Sequence, residues 1–139
     1  MSHRFEVSRL CSELLIVNLM NMFPLSEKVT TATAFFAEAF GTAVLAFVVF
    51  SLTNPRGDVQ AKKIFVPPLI GATVGALICV IAPITQAGLN PARDFGPRIV
   101  AWLAGWEGVA FQKWWLYVLA PTVGAPIGAA LAEKLYNEP

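Results

Sequence analysis

The chain has 139 residues, enough for one domain; 56% of them are hydrophobic and only 14% are charged. A formal net charge of +1 gives no basis for nucleic-acid binding, and His3 as the only histidine leaves no histidine metal site or Ser-His-Asp triad without a terminal residue. Cys11 and Cys79 have no metal or redox spacing, so no cofactor or metal is expected and the composition argues against a soluble enzyme.

The apolar residues come in blocks long enough to cross a bilayer, which takes about 20 residues. The expected fold class is therefore an all-α membrane protein with three transmembrane helices and one re-entrant half-helix. Residues 1–30 form a lead-in. Arg4 and Arg9 precede an apolar run from Leu14 to Phe23, which Asn18 and Asn21 interrupt. That run is short for a span. A signal peptide would look similar, and Ala32-Thr33-Ala34 offers a small-residue cleavage pattern, but it lies inside the next apolar segment. The plainer reading is an amphipathic or disordered lead-in.

The first span covers 31–53, and its only charge is Glu38. A carboxylate in a membrane helix is costly, so it should face the protein interior with partners. The favoured partners are backbone N–H groups of the irregular chain at 84–90; the alternative is a position near the helix end that reaches the headgroups. Gly41 and Ala43 would let a neighbouring helix come close. From Asn54 to Lys63 the chain is a loop, where Arg56, Lys62 and Lys63 outnumber Asp58. That excess points to the cytoplasmic side.

The second span covers 65–81. Pro67 and Pro68 suit its first turn, and the Gly71/Gly75 pair suits close helix approach. Pro83 is expected to end it, leaving 84–90 irregular. Asn90 then suits an N-cap and Pro91 the first helical position of a half-helix over 91–101. Irregular backbone at membrane depth is tolerable only where protein buries it or where it lines a cavity, and a pore is the simplest such cavity. After a turn at Gly105–Gly108, the last span covers 114–131. Trp114, Trp115 and Tyr117 open it as an interfacial aromatic belt, with Trp102 and Trp106 at the same level. Gly124 and Gly128 form a second small-residue pair, and Pro121 and Pro126 should kink the helix. A polar stretch from Glu133 leads into a tail at 136–139.

Asn90-Pro91-Ala92-Arg93-Asp94-Phe95-Gly96-Pro97-Arg98, set between two apolar spans, resembles the second signature loop of the major intrinsic protein family, the aquaporins and glycerol facilitators. The resemblance covers roughly residues 31–135. It implies that this stretch is the second of two inverted repeats in an aquaporin-like bundle of six spans and two half-helices. Asp94 and the basic Arg98 resemble the glycerol-conducting branch. Tyr117 departs from it, falling where glycerol channels usually have a proline.

The resemblance assigns Asn90, Pro91, Ala92, Arg93, Ile78, Gln86, Ala87 and Gly88 to the pore and its filter. Asn90 would donate to a passing hydroxyl, and the carbonyls of Gln86, Ala87 and Gly88 would accept from it. A helix N-terminus carries roughly half a positive charge. With Arg93 it would exclude protons and cations in the way established for aquaporin-type pores. Ile78 and Ala87 fall at filter positions and would leave a wide, apolar constriction suited to a polyol; the alternative is that they pack against neighbours. Glu38, Asp94, Gly71, Gly75, Gly124 and Gly128 are expected to be structural supports. Asp94 would hold the loop through a backbone N–H or Arg98, and Arg98 would be a surface or loop-anchoring residue.

The family has two Asn-Pro-Ala loops and this sequence has one, so a fragment, a truncated product or a misassigned gene start is expected. The expected function is a passive channel or half-channel for glycerol and small neutral solutes, with water among them. The alternative is a truncated, non-conducting membrane protein that modulates full-length relatives. Expected partners are these solutes, the lipid bilayer, and a complementary first-half repeat or full-length relative. Family members are typically tetramers, and the plasma membrane is the expected location.

Overall fold

The computed structural model describes residues 29–55, 63–105 and 110–137. The lead-in through residue 28, the basic loop with Arg56, Asp58 and Lys62, the turn with Trp106 and Gly108, and the last two residues lie outside the described residues.

Thr30 starts the first helix. Its backbone is extended and its hydroxyl accepts the Thr33 N–H at 3.1 Å, which satisfies one of the donors a helix start leaves open. Helix α1 then runs over Thr31–Thr53. At 1.5 Å per residue this is about 34 Å, enough for the hydrocarbon core of a bilayer. Its side chains are apolar on nearly all sides, the pattern of a helix surrounded by protein or lipid rather than water.

Helix α2 covers Val66–Thr85, with Pro67 and Pro68 in its first turn. It continues past Pro83, contrary to the sequence expectation. A proline near the end of a helix forfeits only its own donor and restricts the residue before it. The stop is Gln86, which turns left-handed (φ 68°) and sends its N–H to the Ala82 carbonyl at 2.9 Å. The irregular segment is therefore 86–90.

Helix α3 covers Pro91–Leu103, two residues longer than expected. Its 13 residues reach about 20 Å, well short of a full crossing. Helix α4 covers Trp114–Asn137 and passes through both Pro121 and Pro126. It also continues beyond Leu131, where polar residues led to a tail being expected. Ala, Glu, Lys and Leu are strong helix formers, so charge there marks a change of surroundings and not a helix end. The helices α1, α2 and α4 are each long and apolar enough to cross a membrane.

The main packing is α1 against α4; α2 rests on α1, and α3 rests on α4. The α1–α4 contact depends on Gly124 and Gly128. A Cβ at these positions would come within 2.0 Å of the Ala39 carbonyl oxygen and 1.9 Å of the Ala43 carbonyl oxygen. Backbone meets backbone at this crossing, as small residues permit in membrane proteins. Gly41 is similarly closed off by the side chains of Ile81 and Leu89. Gly71 and Gly75 differ from the expectation: neither meets any neighbour among the described residues, because α2 turns that face outward.

Two small cores result. Ala34, Leu116 and Tyr117 form one between α1 and α4. Ile81, Ala87 and Leu89 form the other, with Ala37, Leu77, Ile78 and Ala82 packed against it.

Candidate functional site: the 86–90 loop and the start of α3

The loop from Gln86 to Asn90 has no regular ladder to satisfy its backbone, and three of its residues are conformationally unusual. Gln86, Ala87 and Leu89 all have positive φ (68°, 54° and 55°) without being glycine. Each such residue costs of order 1–3 kcal/mol, which surrounding contacts must offset.

Glu38 provides much of that offset. It is fully buried in α1, and its carboxylate accepts the Gly88 N–H at 2.9 Å and the Leu89 N–H at 2.6 Å. The Thr85 hydroxyl donates to the same carboxylate and accepts the Ala87 N–H at 3.3 Å. Hydrogen bonds to an ionised acceptor are roughly twice as strong as neutral ones, and a buried charge persists only with such partners. One turn along α1, Thr42 donates to the Leu89 carbonyl at 3.2 Å. From α4, the Tyr117 hydroxyl donates to the Thr85 carbonyl at 2.9 Å. Sequence reasoning did not identify Thr42, Thr85 and Tyr117 as loop supports. A signal for Thr42 was available in its spacing of four from Glu38, which places both on one helix face. Tyr117 was read as part of the interfacial belt, but it is only 3% exposed, whereas Trp114 and Trp115 are each 41% exposed.

Asn90 closes the loop. Its Oδ1 accepts the Ala92 N–H at 2.9 Å and the Arg93 N–H at 3.4 Å, which makes it the N-cap of α3. With Oδ1 so engaged, the amide Nδ2 is the side chain's donor. Pro91 occupies the first helical position, where no N–H is needed. Asn90, Ala92 and Arg93 are exposed in the described structure.

Arg93 reaches back over the loop. One guanidinium nitrogen donates to the Ala87 carbonyl at 2.6 Å and lies 3.4 Å from the Gly88 carbonyl. Gly88 also accepts the Asn90 N–H at 2.7 Å. Two of the carbonyls expected to face a passing solute thus also hold the cation in place. Gln86, Gly88, Arg93 and Asp94, together with Thr85, Ala87, Pro97 and Tyr117, surround a cavity of about 220 Å³.

Ile78 lies outside this cavity and is partly buried against Ile81, Ala87 and Leu89. The Ala87 side chain is fully buried in the same cluster, so Ala87 presents its backbone to the cavity.

Arg98 is not a surface residue. It is fully buried, and its Nε and Nη2 donate to the two Asp94 carboxylate oxygens at 2.5 and 3.1 Å. Its Nη1 donates to the carbonyls of Ala110 at 2.8 Å and Gln112 at 3.1 Å. The guanidinium carbon lies 5.1 Å from the centre of the Tyr117 ring. Five donors in a fixed fork allow one arginine to join α3 to the turn before α4 in this way.

The sequence is similar to those of known proteins. The sequence pattern of the family described as "Major intrinsic protein" matches residues 7–132. The glycerol uptake facilitator protein of Escherichia coli K12 is 39% identical over 107 residues, covering 76% of this chain and 38% of the relative. Aquaglyceroporin-2 of Rhizophagus irregularis is 36% identical over 104 residues, covering 75% and 33%. The glycerol uptake facilitator protein of Pseudomonas aeruginosa is 32% identical over 127 residues, covering 84% and 43%. The chain thus spans well under half the length of these relatives. With three helices able to cross a membrane, it is an integral membrane protein, and it belongs to the major intrinsic protein family.

Proposed function

We propose that the chain forms one wall of a passive transmembrane channel for glycerol and similar small neutral solutes, with water passing as well. The observation that carries this reading is the pairing of an exposed, asparagine-capped helix start with Arg93, itself fixed by the Ala87 and Gly88 carbonyls. Asn90 offers a donor through Nδ2, and the loop backbone offers acceptors, so a hydroxyl can exchange its water partners for protein ones. The positive end of α3 and the guanidinium oppose a cation at the same place. Arginine and half-helix dipoles act in this way in aquaporin-type pores generally. The relatives, a glycerol uptake facilitator and an aquaglyceroporin, support the choice of solute.

In this reading a complementary repeat of inverted orientation supplies the opposite wall, and the complete units assemble as tetramers in the plasma membrane. Inverted-repeat transporters place their sites at such a seam, with half-helix ends facing it. The protein carries out no covalent chemistry. The second reading, a non-conducting partner of full-length relatives, draws on the same exposure of Asn90, Ala92 and Arg93. An exposed arginine at mid-bilayer is unfavourable by roughly 2.5–3.5 kcal/mol on insertion scales, which favours association with another polypeptide.

The test is reconstitution into phosphatidylcholine vesicles, alone and together with the part of the Escherichia coli relative that this chain does not match. Stopped-flow light scattering then follows glycerol-driven swelling. Facilitated glycerol flux in either preparation supports the channel. No flux above protein-free vesicles in both, with the chain inserted, contradicts it and favours the modulator.

A further inference from the structure

We propose that Tyr117 is a positioning residue that sets solute selectivity, by holding the 85–88 segment on which Arg93 is anchored. The inference rests on the channel reading above. Tyr117 sits on α4, which contributes no other residue to the wall of the 220 Å³ cavity. Its hydroxyl donates to the Thr85 carbonyl at 2.9 Å, at the point where α2 ends and the left-handed turn begins. Its ring lies against Gly88, so close that a Cβ at Gly88 would come within 2.7 Å of a Tyr117 ring carbon. The other face of the segment is held by Glu38 through Gly88 and Leu89. Gly88 is thus clamped between a carboxylate on α1 and an aromatic ring on α4.

The consequence reaches Arg93 through the backbone. The guanidinium is anchored on the Ala87 and Gly88 carbonyls and has no carboxylate partner of its own among the described residues. Its position is therefore only as fixed as those carbonyls. Arg98, stacked near the Tyr117 ring and bound to Asp94, keeps the ring from swinging out. Without the hydroxyl bond, the turn at Thr85–Gly88 gains freedom, and the opening beside Arg93 varies in width. A three-carbon polyol passes in either case, whereas a five-carbon polyol gains passage that a rigid wall denies.

The decisive variant is Tyr117→Phe, which keeps the ring against Gly88 and removes only the hydroxyl. In the vesicles described above, with glycerol and xylitol as the two probes, the glycerol-to-xylitol flux ratio should fall by about two- to tenfold, the range one net hydrogen bond can supply. Glycerol flux is recorded in the same vesicles as the reference for that ratio. In parallel, hydrogen–deuterium exchange of the reconstituted chain should show faster exchange in the peptide carrying Ala87, Gly88 and Leu89. Unchanged exchange would overturn the positioning role whether or not the vesicles conduct. Faster exchange with an unchanged flux ratio would overturn the selectivity role. Absence of glycerol flux with the unaltered chain would instead overturn the channel reading, and with it any role in selectivity.

Discussion

The Glu38 carboxylate on α1 accepts the Leu89 N–H at 2.6 Å, a bond between residues 51 positions apart. It reaches Gly88 and Thr85 as well, so one buried side chain fixes the loop that precedes α3. Removing it leaves two buried N–H groups without their acceptor. Glu38→Ala should therefore destabilise the chain by at least about 1–3 kcal/mol, the cost of a buried donor left without its acceptor. Thermal unfolding in detergent measures this. A melting temperature equal to that of the unaltered chain would contradict the assignment.

The small-residue pairs make a second, differential prediction. Gly128→Ala places a methyl 1.9 Å from the Ala43 carbonyl oxygen, where only backbone movement can relieve the clash. Gly75→Ala places it in open space. Overpacking a tight contact costs typically about 1–3 kcal/mol, while alanine in place of glycine inside a helix gains about 0.5–1 kcal/mol. Gly128→Ala should lower the unfolding midpoint of the isolated chain, and Gly75→Ala should hold or raise it. Equal effects would mean that the α1–α4 crossing is not as close as described.

Arg98 gives a third. Arg98→Lys keeps the charge but loses the fork that spans Asp94, Ala110 and Gln112. Arginine and lysine are not interchangeable at such a site. The substitution should lower stability by at least about 1 kcal/mol, since a single ammonium cannot replace all of the charge-assisted bonds. It should also increase proteolysis in the turn before α4. Protection equal to that of the unaltered chain would show that the fork is dispensable.

The extent of the fold that could be read in advance follows from the kind of signal each element carries. The blocks of apolar residues around Glu38, around Cys79 and from Trp114 to Leu131, and the Asn90-Pro91 start signal, depend on local chemistry and marked the three long helices and the short one. Helix ends were less legible. Pro83 looked like a stop, but a left-handed turn at Gln86 decides the boundary, and nothing in the residue itself announces positive φ. The Glu133-Lys134 pair looked like the start of a tail because the helix leaves apolar sequence there, yet its propensity continues.

The site divides along the same line. Glu38 was expected to meet the loop because an apolar helix cannot leave a carboxylate alone. Thr85 and Tyr117 depend on contacts that α2 makes with α1 and with α4, which sequence periodicity does not reveal. Gly71/Gly75 and Gly124/Gly128 have the same spacing, but among the described residues only the second pair meets a neighbour. Spacing shows that a close approach is possible; it does not show which partner makes it.

In the channel proposed for this chain, Arg93, held by the Ala87 and Gly88 carbonyls, helps to make a path that admits neutral solutes and refuses ions. The most direct measurement compares Arg93→Ala with the unaltered chain in vesicles that conduct glycerol, recording swelling and proton entry in the same preparation. A pH-sensitive dye trapped inside reports the protons. The account predicts that glycerol flux persists while proton entry rises at least about tenfold, the effect of removing roughly 1.4 kcal/mol of electrostatic barrier. Proton entry equal to that of the unaltered chain, at matched protein density and undiminished glycerol flux, would contradict it.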